Sequence, residues 1–264
     1  DGQLKDLSGP TGLRDALVAA QKVTGKYGGV ISINNDTATQ WRFFSSLYWQ
    51  LGGDLLADDG RRIVIDDDRA EKVMSYIADL TVKRGVIPPN VDYQGATTIF
   101  LNRQAGFYFE GDWEVSTFLG QMPFSMTRLP NVFGGKYACQ ADSHSFVLPK
   151  DGKRTDEKRK VIFAFIRSMM DQSATWAAGG HIPAWLPFQE SAAYRKIKPQ
   201  SDYADVANSV QYDPPAWYSG SGSDFENIFG SAIAAVSNGQ LSPARAISQT
   251  RSKLVKYADT ATPV

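Results

Sequence analysis

The sequence predicts an α/β fold, because segments with helical periodicity alternate with short β-rich runs from the start of the chain. Leu13, Leu17 and Ala20 recur at steps of three and four residues, which is typical of an amphipathic helix, and this helix is expected to end before Gly25. The β-rich run GGVISIN follows at 28–34. Alternation of this kind is typical of a mostly parallel sheet covered by helices.

The same two patterns continue along the rest of the chain. Further helices are predicted within 41–51, 73–80, 96–100, 161–169 and 225–236, with a last one opening at Ser242-Pro243, a pair that suits a cap and a first helical position. Strands are predicted at RRIVID (61–66), after a turn at 58–60, at AGFYF (105–109), and at the end of the polar segment GKYACQADSHSFVLPKD (135–151).

The acidic run Asp66-Asp67-Asp68 precedes one of these helices. Carboxylates at a helix N-terminus cap backbone N–H groups and interact favourably with the helix dipole. A calcium loop is the alternative, but the run lacks the glycine and the terminal glutamate of an EF-hand. We therefore interpret it as a helix cap.

Composition excludes several classes of function. Lys plus Arg and Asp plus Glu both number 28, so no net field draws the chain toward nucleic acid or an anionic membrane, and a neutral small ligand fits better. The opening DGQLKDLSGP has neither the basic nor the apolar part of an export signal, and no run approaches about 18 apolar residues. One cysteine and two histidines leave no disulfide framework and no paired-histidine metal spacing, so we predict neither metal nor cofactor.

Catalytic and nucleotide-binding motifs are absent from the sequence. There is no GxSxG, no GxGxxG and no GxxxxGK[ST], and Ser143-His144-Ser145 places serine beside histidine only along the chain. The basic stretch at 154–160 lacks interleaved aromatic residues, which argues against nucleic-acid binding.

The turn after the strand AGFYF is the place where a ligand site is expected. It reads Glu110-Gly111-Asp112-Trp113-Glu114. In open α/β sheets, ligands bind outside the carboxyl ends of the strands. We therefore predict that this turn contributes to a binding site.

Four segments, taken in order, resemble the bacterial family 1 extracellular solute-binding proteins, the group that includes maltose-binding protein. They are TATQWRFFSSLYWQLGGDLL (37–56), FLNRQAGFYFEGDWEVSTF (100–118), the segment SHSFVLPKDG to PFQES (143–191), and the helical region from Tyr212 to Tyr257. The resemblance implies a type II periplasmic-binding-protein-like fold of two lobes and a non-catalytic receptor for carbohydrate. It also implies ABC permease and ATPase partners, an extracytoplasmic location and a monomer.

The resemblance further implies that one lobe is incomplete. Family members open with βαβ units that form most of the N-terminal lobe, and this chain is expected to begin after them, through truncation or because the front belongs to a separate chain. On that alignment, 1–140 and 195–264 form the C-terminal lobe with its flanking helices, and 143–192 is what remains of the N-terminal lobe.

Aromatic residues beside polar ones are the candidate sugar platform. Sugars combine apolar C–H faces with hydroxyls, so their sites combine flat rings with Asp, Glu, Asn and Arg side chains. The sequence has 6 Trp, 11 Tyr and 14 Phe, and the resemblance places three of the tryptophans near the cleft between the lobes. The predicted ligand-binding residues are Trp41, Trp113, Trp217, Tyr218, Asp112, Glu110, Arg42 and Asp36, with His144 as a secondary contact.

Each of these assignments has an alternative. Trp41 opens a helix and can equally be a core residue, whereas Trp49 and Trp176 are expected to pack. Glu110 and Asp112 can also be interpreted as the carboxylate pair of a glycan-active hydrolase, although such pairs normally face each other from different segments. A third possibility is a fragment that binds no ligand.

Overall fold

A computed structural model describes residues 7–262 of the protein, and most of its regular secondary structure is helical. The helices are α1 (Gly9–Thr24), α2 (Thr37–Gln50), α3 (Asp67–Ala78), α4 (Tyr93–Leu101), α5 (Val115–Phe118), α6 (Asp156–Asp171), α7 (Ser173–Ala178), α8 (Leu186–Gln189), α9 (Asp224–Ser237) and α10 (Pro243–Ala258). α3 continues into a π-helical turn at Asp79–Lys83. Single 3-10 turns occur at Asp58–Gly60, Asp112–Glu114, Tyr194–Lys196, Gln200–Asp202 and Ala204–Ser209.

The strands are short and form three pairs. β1 (Tyr27–Val30) runs parallel to β4 (Ala105–Tyr108), and β5 (Cys139–Gln140) runs parallel to β6 (Val210–Gln211). β2 (Leu56–Ala57) and β3 (Arg62–Ile63) form an antiparallel hairpin around the predicted turn at 58–60. The predicted alternation of helices with parallel strands is therefore present, although the strands are shorter than their apolar runs.

The chain packs as two units. The first comprises the residues up to Glu110, Leu129–Ala141 and the residues from Ser209 onward, and the second comprises Gly111–Arg128 and Asp142–Asn208. The sequence prediction assigns 111–128 and 195–208 to the C-terminal lobe. The structure groups both stretches with the second unit. The identification of these units with N- and C-terminal lobes remains a prediction.

The core of the first unit is built around α2. This helix is buried along almost its whole length, and α9 lies against it so closely that a Cβ on Gly230 would come 2.1 Å from the Thr37 carbonyl oxygen. The aromatic side chains of Phe44, Phe225 and Phe229 fill the contact between the two helices. α1 covers the parallel pair, because a Cβ on Gly28 of β1 would overlap the backbone of α1. The packing therefore fixes the start of α2 relative to the strand ends.

Helix caps follow the sequence expectations closely. Asp66 accepts a hydrogen bond from the backbone N–H of Arg69 at 3.0 Å, and Ser242 accepts one from Arg245 at 3.4 Å. Gly25 ends α1 in the left-handed conformation, with φ of 72°. These caps explain why three helix ends were predictable from local sequence alone.

The second unit has a smaller interior, formed by Val115, Phe118, Ala177, Tyr194 and Tyr203. α6 has no buried residue among those described. Residues 141–150 have no regular secondary structure, so the strand expected at the end of the polar segment does not form. Of this stretch only Ala141 bonds to a described strand, through its N–H to the Gln211 carbonyl of β6 at 3.1 Å, and a β-strand needs a hydrogen-bonding neighbour along its length. Within residues 7–262, no helix has both the length and the apolar character needed to cross a bilayer.

Gly230→Ala tests the contact between α9 and α2. Added volume at this position meets the Thr37 backbone rather than a flexible side chain, so the free energy of unfolding is expected to fall by about 1–3 kcal/mol, as overpacking typically does. The measurement is urea denaturation of the two proteins. Gly152→Ala, where a Cβ meets nothing within 4 Å, is the matched control and is expected to be neutral. Equal stability of the two variants would contradict the close approach.

Candidate functional site

Two carboxylates meet at the carboxyl ends of the paired strands β1 and β4. Asp36 follows β1 and Glu110 follows β4, and both are partly exposed. The Thr39 hydroxyl lies 3.1 Å from both Glu110 carboxylate oxygens. The Ser32 hydroxyl donates to Oδ2 of Asp36 and lies 3.4 Å from Oε2 of Glu110. We call these four residues the strand-end cluster.

Local structure explains why the cluster forms. Asp36 is the N-cap of α2, and its Oδ1 accepts a hydrogen bond from the Thr39 backbone N–H at 3.0 Å. The cap fixes the first turn of α2, which carries Thr39 toward Glu110. Ser32 and Thr39 are buried, so their hydroxyls are held in place beneath the two carboxylates.

A second layer of hydrogen bonds supports the cluster from the core side. The buried Gln40 side chain donates to the Ser32 carbonyl at 2.7 Å and accepts from the Ser237 hydroxyl at 3.0 Å. The Asn238 amide donates to the Asn34 side-chain oxygen at 2.9 Å. The chain that leaves β1 is thereby tied to the end of α9, so the cluster rests on a preorganised support.

The strand-end cluster can bind a neutral, hydroxyl-rich ligand. A carboxylate offers about four acceptor sites on its two oxygens, which suits Asp36 and Glu110 to accept hydrogen bonds from ligand hydroxyls. Charge-assisted hydrogen bonds from ligand hydroxyls are stronger than neutral ones. Among the described residues, no group of three or more His, Cys, Asp and Glu is placed to hold a metal ion.

Trp41 is not available as a ligand platform, which corrects the prediction that its ring faces a ligand. Its side chain is 0% exposed, and its ring packs against Phe225 and Phe229 at centroid distances of 5.1 and 4.9 Å. The indole N–H donates to Oδ1 of Asp213 at 2.8 Å. The position of Trp41 on α2 directs its ring into the core, in agreement with the alternative that Trp41 is a core residue.

Trp217 and Tyr218 lie in a different part of the first unit. Trp217 is 39% exposed and lines an open cleft with the turn at 59–61 and the end of α10, and no residue of the strand-end cluster lines this cleft. Tyr218 is buried and its hydroxyl donates to the Gly60 carbonyl at 2.6 Å. Trp41 and Trp217 therefore do not present their rings to one common groove.

Asp112 and Trp113 belong to the second unit. Oδ1 of Asp112 lies 3.3 Å from Nδ1 of His181, a residue that the sequence gave no reason to single out. The Trp113 ring folds back over Gly111, where an added Cβ would come 2.1 Å from the ring carbons. Trp113 remains partly exposed.

The Asp112 turn is fastened to the loop before His181. A Cβ on Gly180 would overlap the Asp112 carbonyl oxygen, and the buried Tyr203 hydroxyl donates to the Gly180 carbonyl. Burial, with a smaller contribution from the Asp112 charge, raises the pKa of Tyr194 to about 12 and raises that of Tyr203 further. Both phenols therefore stay protonated at neutral pH.

His144 is exposed and makes ring contacts rather than a polar contact with the predicted site. Its ring meets those of Trp176 and His181 edge-on, and Trp176 stacks on His181 at 4.8 Å. Trp176 was expected to pack but is 47% exposed. Arg42 is partly buried on the second turn of α2.

Comparison with known proteins gives one family match and many structural ones. A profile of the family described as bacterial extracellular solute-binding protein matches residues 7–176. No curated protein matches the sequence. The sugar-binding protein MalE from the phytopathogen Xanthomonas citri is similar in structure, with a TM-score of 0.77 and 16% identity over 98% of this chain and 65% of that one.

Two further solved structures show the same similarity. The cyclic alpha-maltosyl-1,6-maltose binding protein from Arthrobacter globiformis has a TM-score of 0.73 and 18% identity over 96% of this chain and 65% of that one. The MalE domain from Bdellovibrio bacteriovorus, bound to maltotriose, has a TM-score of 0.72 and 17% identity over 96% of this chain and 67% of that one. This chain thus spans about two thirds of their length, and the predicted fold class is confirmed.

The His181–Asp112 pair predicts a pH-dependent stability. The hydrogen bond to Asp112 raises the pKa of His181 above 6.5, against the opposing effect of burial. A histidine whose pKa is higher in the folded state than in the unfolded state stabilises the folded protein. This stabilisation is complete at pH values below the pKa of the unfolded state, and it is lost as the pH rises through the pKa of the folded state. The difference in unfolding free energy between the native protein and His181→Gln is therefore expected to be largest near pH 6 and to shrink toward pH 8.5, measured by urea denaturation.

Asp112→Asn is the companion variant for this experiment. It keeps the ring contacts of His181 but removes the carboxylate, so it is expected to lose the same pH-dependent component as His181→Gln. A pH profile of His181→Gln that runs parallel to that of the native protein would show that the pair does not couple to folding.

Proposed function

Since this chain belongs to the bacterial extracellular solute-binding proteins, we propose that it is the substrate-binding component of an ABC importer for carbohydrate. In this proposal the protein works outside the cytoplasm, as a monomer, and delivers a saccharide to permease subunits in the membrane. It takes no cofactor, metal or nucleic acid and performs no chemistry on its ligand.

The strand-end cluster is the single observation that carries this proposal. Two carboxylates, Asp36 and Glu110, are held at the carboxyl ends of parallel strands, where ligands bind in open α/β sheets. They are partly exposed, acceptor-rich and backed by a rigid hydrogen-bonded layer. Hydroxyl donors of a sugar match these acceptors, whereas an anionic ligand would be repelled by them.

The similarity to saccharide-binding proteins favours a saccharide over other polyols as the ligand. The similar structures include a maltotriose-bound protein and a cyclic alpha-maltosyl-1,6-maltose binding protein. We extend this ligand class to the present chain as part of the proposal. Trp113, Asp112 and Arg42 are proposed further contacts, with His144 as a secondary one.

Hydrolysis of glycans is not proposed for this chain. Glu110 is engaged by the Thr39 hydroxyl in the first unit, and Asp112 is engaged by His181 in the second. Each carboxylate thus has its own hydrogen-bonding partner and its own structural role. Hydrolases instead need one carboxyl group kept as a proton donor and another held opposite it.

Glu110→Gln tests the proposed site with little change in shape. The variant removes a charged acceptor from ligand hydroxyls, a loss of about 1.5–3 kcal/mol, so the affinity for a bound saccharide is expected to fall about ten- to hundredfold. The measurement is isothermal titration calorimetry with maltose and maltotriose.

The control for this experiment is Glu71→Gln, which changes an exposed residue of α3 in the same way. Binding by the Glu71→Gln protein is expected to equal that of the native chain. If Glu110→Gln and Glu71→Gln bind a saccharide equally well, the strand-end cluster is not its binding site.

A further inference from the structure

The cleft beside Trp217 has the composition of a ligand site. It is open to solvent, has a volume of about 330 Å³, and is lined by Trp217, Tyr218, Tyr257, the turn at 59–61 and residues 258–262. This volume lies at the lower end of the range for small-molecule sites. The cleft shares no lining residue with the strand-end cluster, so it is a separate feature of the first unit.

The inner wall of the cleft is aromatic and rigid. Tyr218 and Tyr257 stack at 5.4 Å with an interplanar angle of 27°, and Trp217 packs against Tyr257 at 5.9 Å. The Tyr257 hydroxyl is fixed by a 2.7 Å hydrogen bond to Asp224. Trp217 itself is 39% exposed. An indole supported in this way offers an apolar face at little cost in conformational entropy.

The turn at 59–61 is held tightly against this aromatic wall. The Tyr218 hydroxyl donates to the Gly60 carbonyl at 2.6 Å, and a Cβ on Gly60 would come 2.5 Å from the Ala216 methyl group. Asp58 and Asp59 both have φ of 54°, a left-handed conformation that non-glycine residues rarely adopt. The contacts with Tyr218 and Ala216 therefore hold a backbone that would otherwise relax, and they place Asp59 and Arg61 at the rim.

The charged side chains at the rim have donor and acceptor capacity to spare. Within residues 7–262, neither the Asp59 carboxylate nor the Arg61 guanidinium has a hydrogen-bond or ion-pair partner. Both are exposed and line the cleft together with Trp217. A flat aromatic face flanked by one planar donor group and one acceptor group suits the C–H face and the hydroxyls of a pyranose ring.

We propose that this cleft is a second saccharide-binding site, in which one pyranose ring stacks on Trp217 while its hydroxyls bond to Arg61 and Asp59. The choice of a saccharide rests on the function proposed above, whereas the location of the site does not. Because the cleft is open and small, the site binds single units or chain ends, and it is weaker than the strand-end site.

The test is 19F NMR of the full chain labelled with 5-fluorotryptophan and titrated with maltotriose. The 6 tryptophans give separate reporters, and the Trp217 signal is assigned by its loss in Trp217→Phe. The Trp217 signal is expected to shift in a saturable way. In Arg61→Gln the concentration needed for half of the shift is expected to rise about tenfold, because a charge-assisted hydrogen bond is lost. Unchanged positions of the other five signals show that this variant is folded.

Glu110→Gln separates the two sites in the same experiment. The Trp217 shift is expected to persist in this variant, whether or not its affinity at the strand-end cluster has fallen. A Trp217 signal that never moves with maltotriose would overturn the proposal. A shift that disappears in Glu110→Gln would also overturn it, because the Trp217 response would then be an indirect effect of binding elsewhere.

Discussion

The parallel pairing of β1 with β4 is the constraint on which the candidate site depends. Val30 lies opposite Tyr108, and the Phe109 N–H extends the pairing by a 3.0 Å hydrogen bond to the Val30 carbonyl. The segments that follow β1 and β4 therefore leave the sheet at the same edge and in the same direction. One of them delivers Ser32 and Asp36, the other delivers Glu110, and residues 78 positions apart in sequence come within hydrogen-bonding distance.

The same residues serve both folding and the proposed binding. Asp36 caps α2 and also forms half of the acidic pair, and Thr39 supplies the capped N–H and the hydroxyl that meets Glu110. The position of α2 is in turn fixed by its contact with α9 at Gly230 and by the burial of Trp41. A rigid helix start thus presents the carboxylates with little freedom left to lose on binding. Trp41, which the sequence predicts as a site residue, contributes through this support instead.

Local signals in the sequence were enough for much of the fold. The helices α1, α3 and α10 and their caps follow from residue spacing and from single capping residues, because a helix is specified within a few residues of itself. The location of Glu110 directly after a strand was also predicted. Ser32, Thr39 and His181 were not, since a lone hydroxyl or imidazole carries no pattern, and only tertiary structure brings it to a carboxylate.

Other features were mispredicted for a related physical reason. An aromatic ring on helical spacing looks the same whether it faces a ligand or another helix, so Trp41 was assigned to the site although α9 covers it. A strand was predicted at the end of the polar segment 135–151, yet a strand also requires a partner, and pairing is a property of the whole fold. The lobe boundaries stay a prediction, because the extent of each unit depends on contacts between segments far apart in sequence.

A crystal structure of the chain grown with maltotriose tests the central claim most directly. If the strand-end cluster binds the saccharide, hydroxyl oxygens of a sugar ring will lie within about 3 Å of the carboxylates of Asp36 and Glu110, while Ser32 and Thr39 keep their present partners. The account is contradicted if the saccharide is ordered in the crystal but the two carboxylates contact only water.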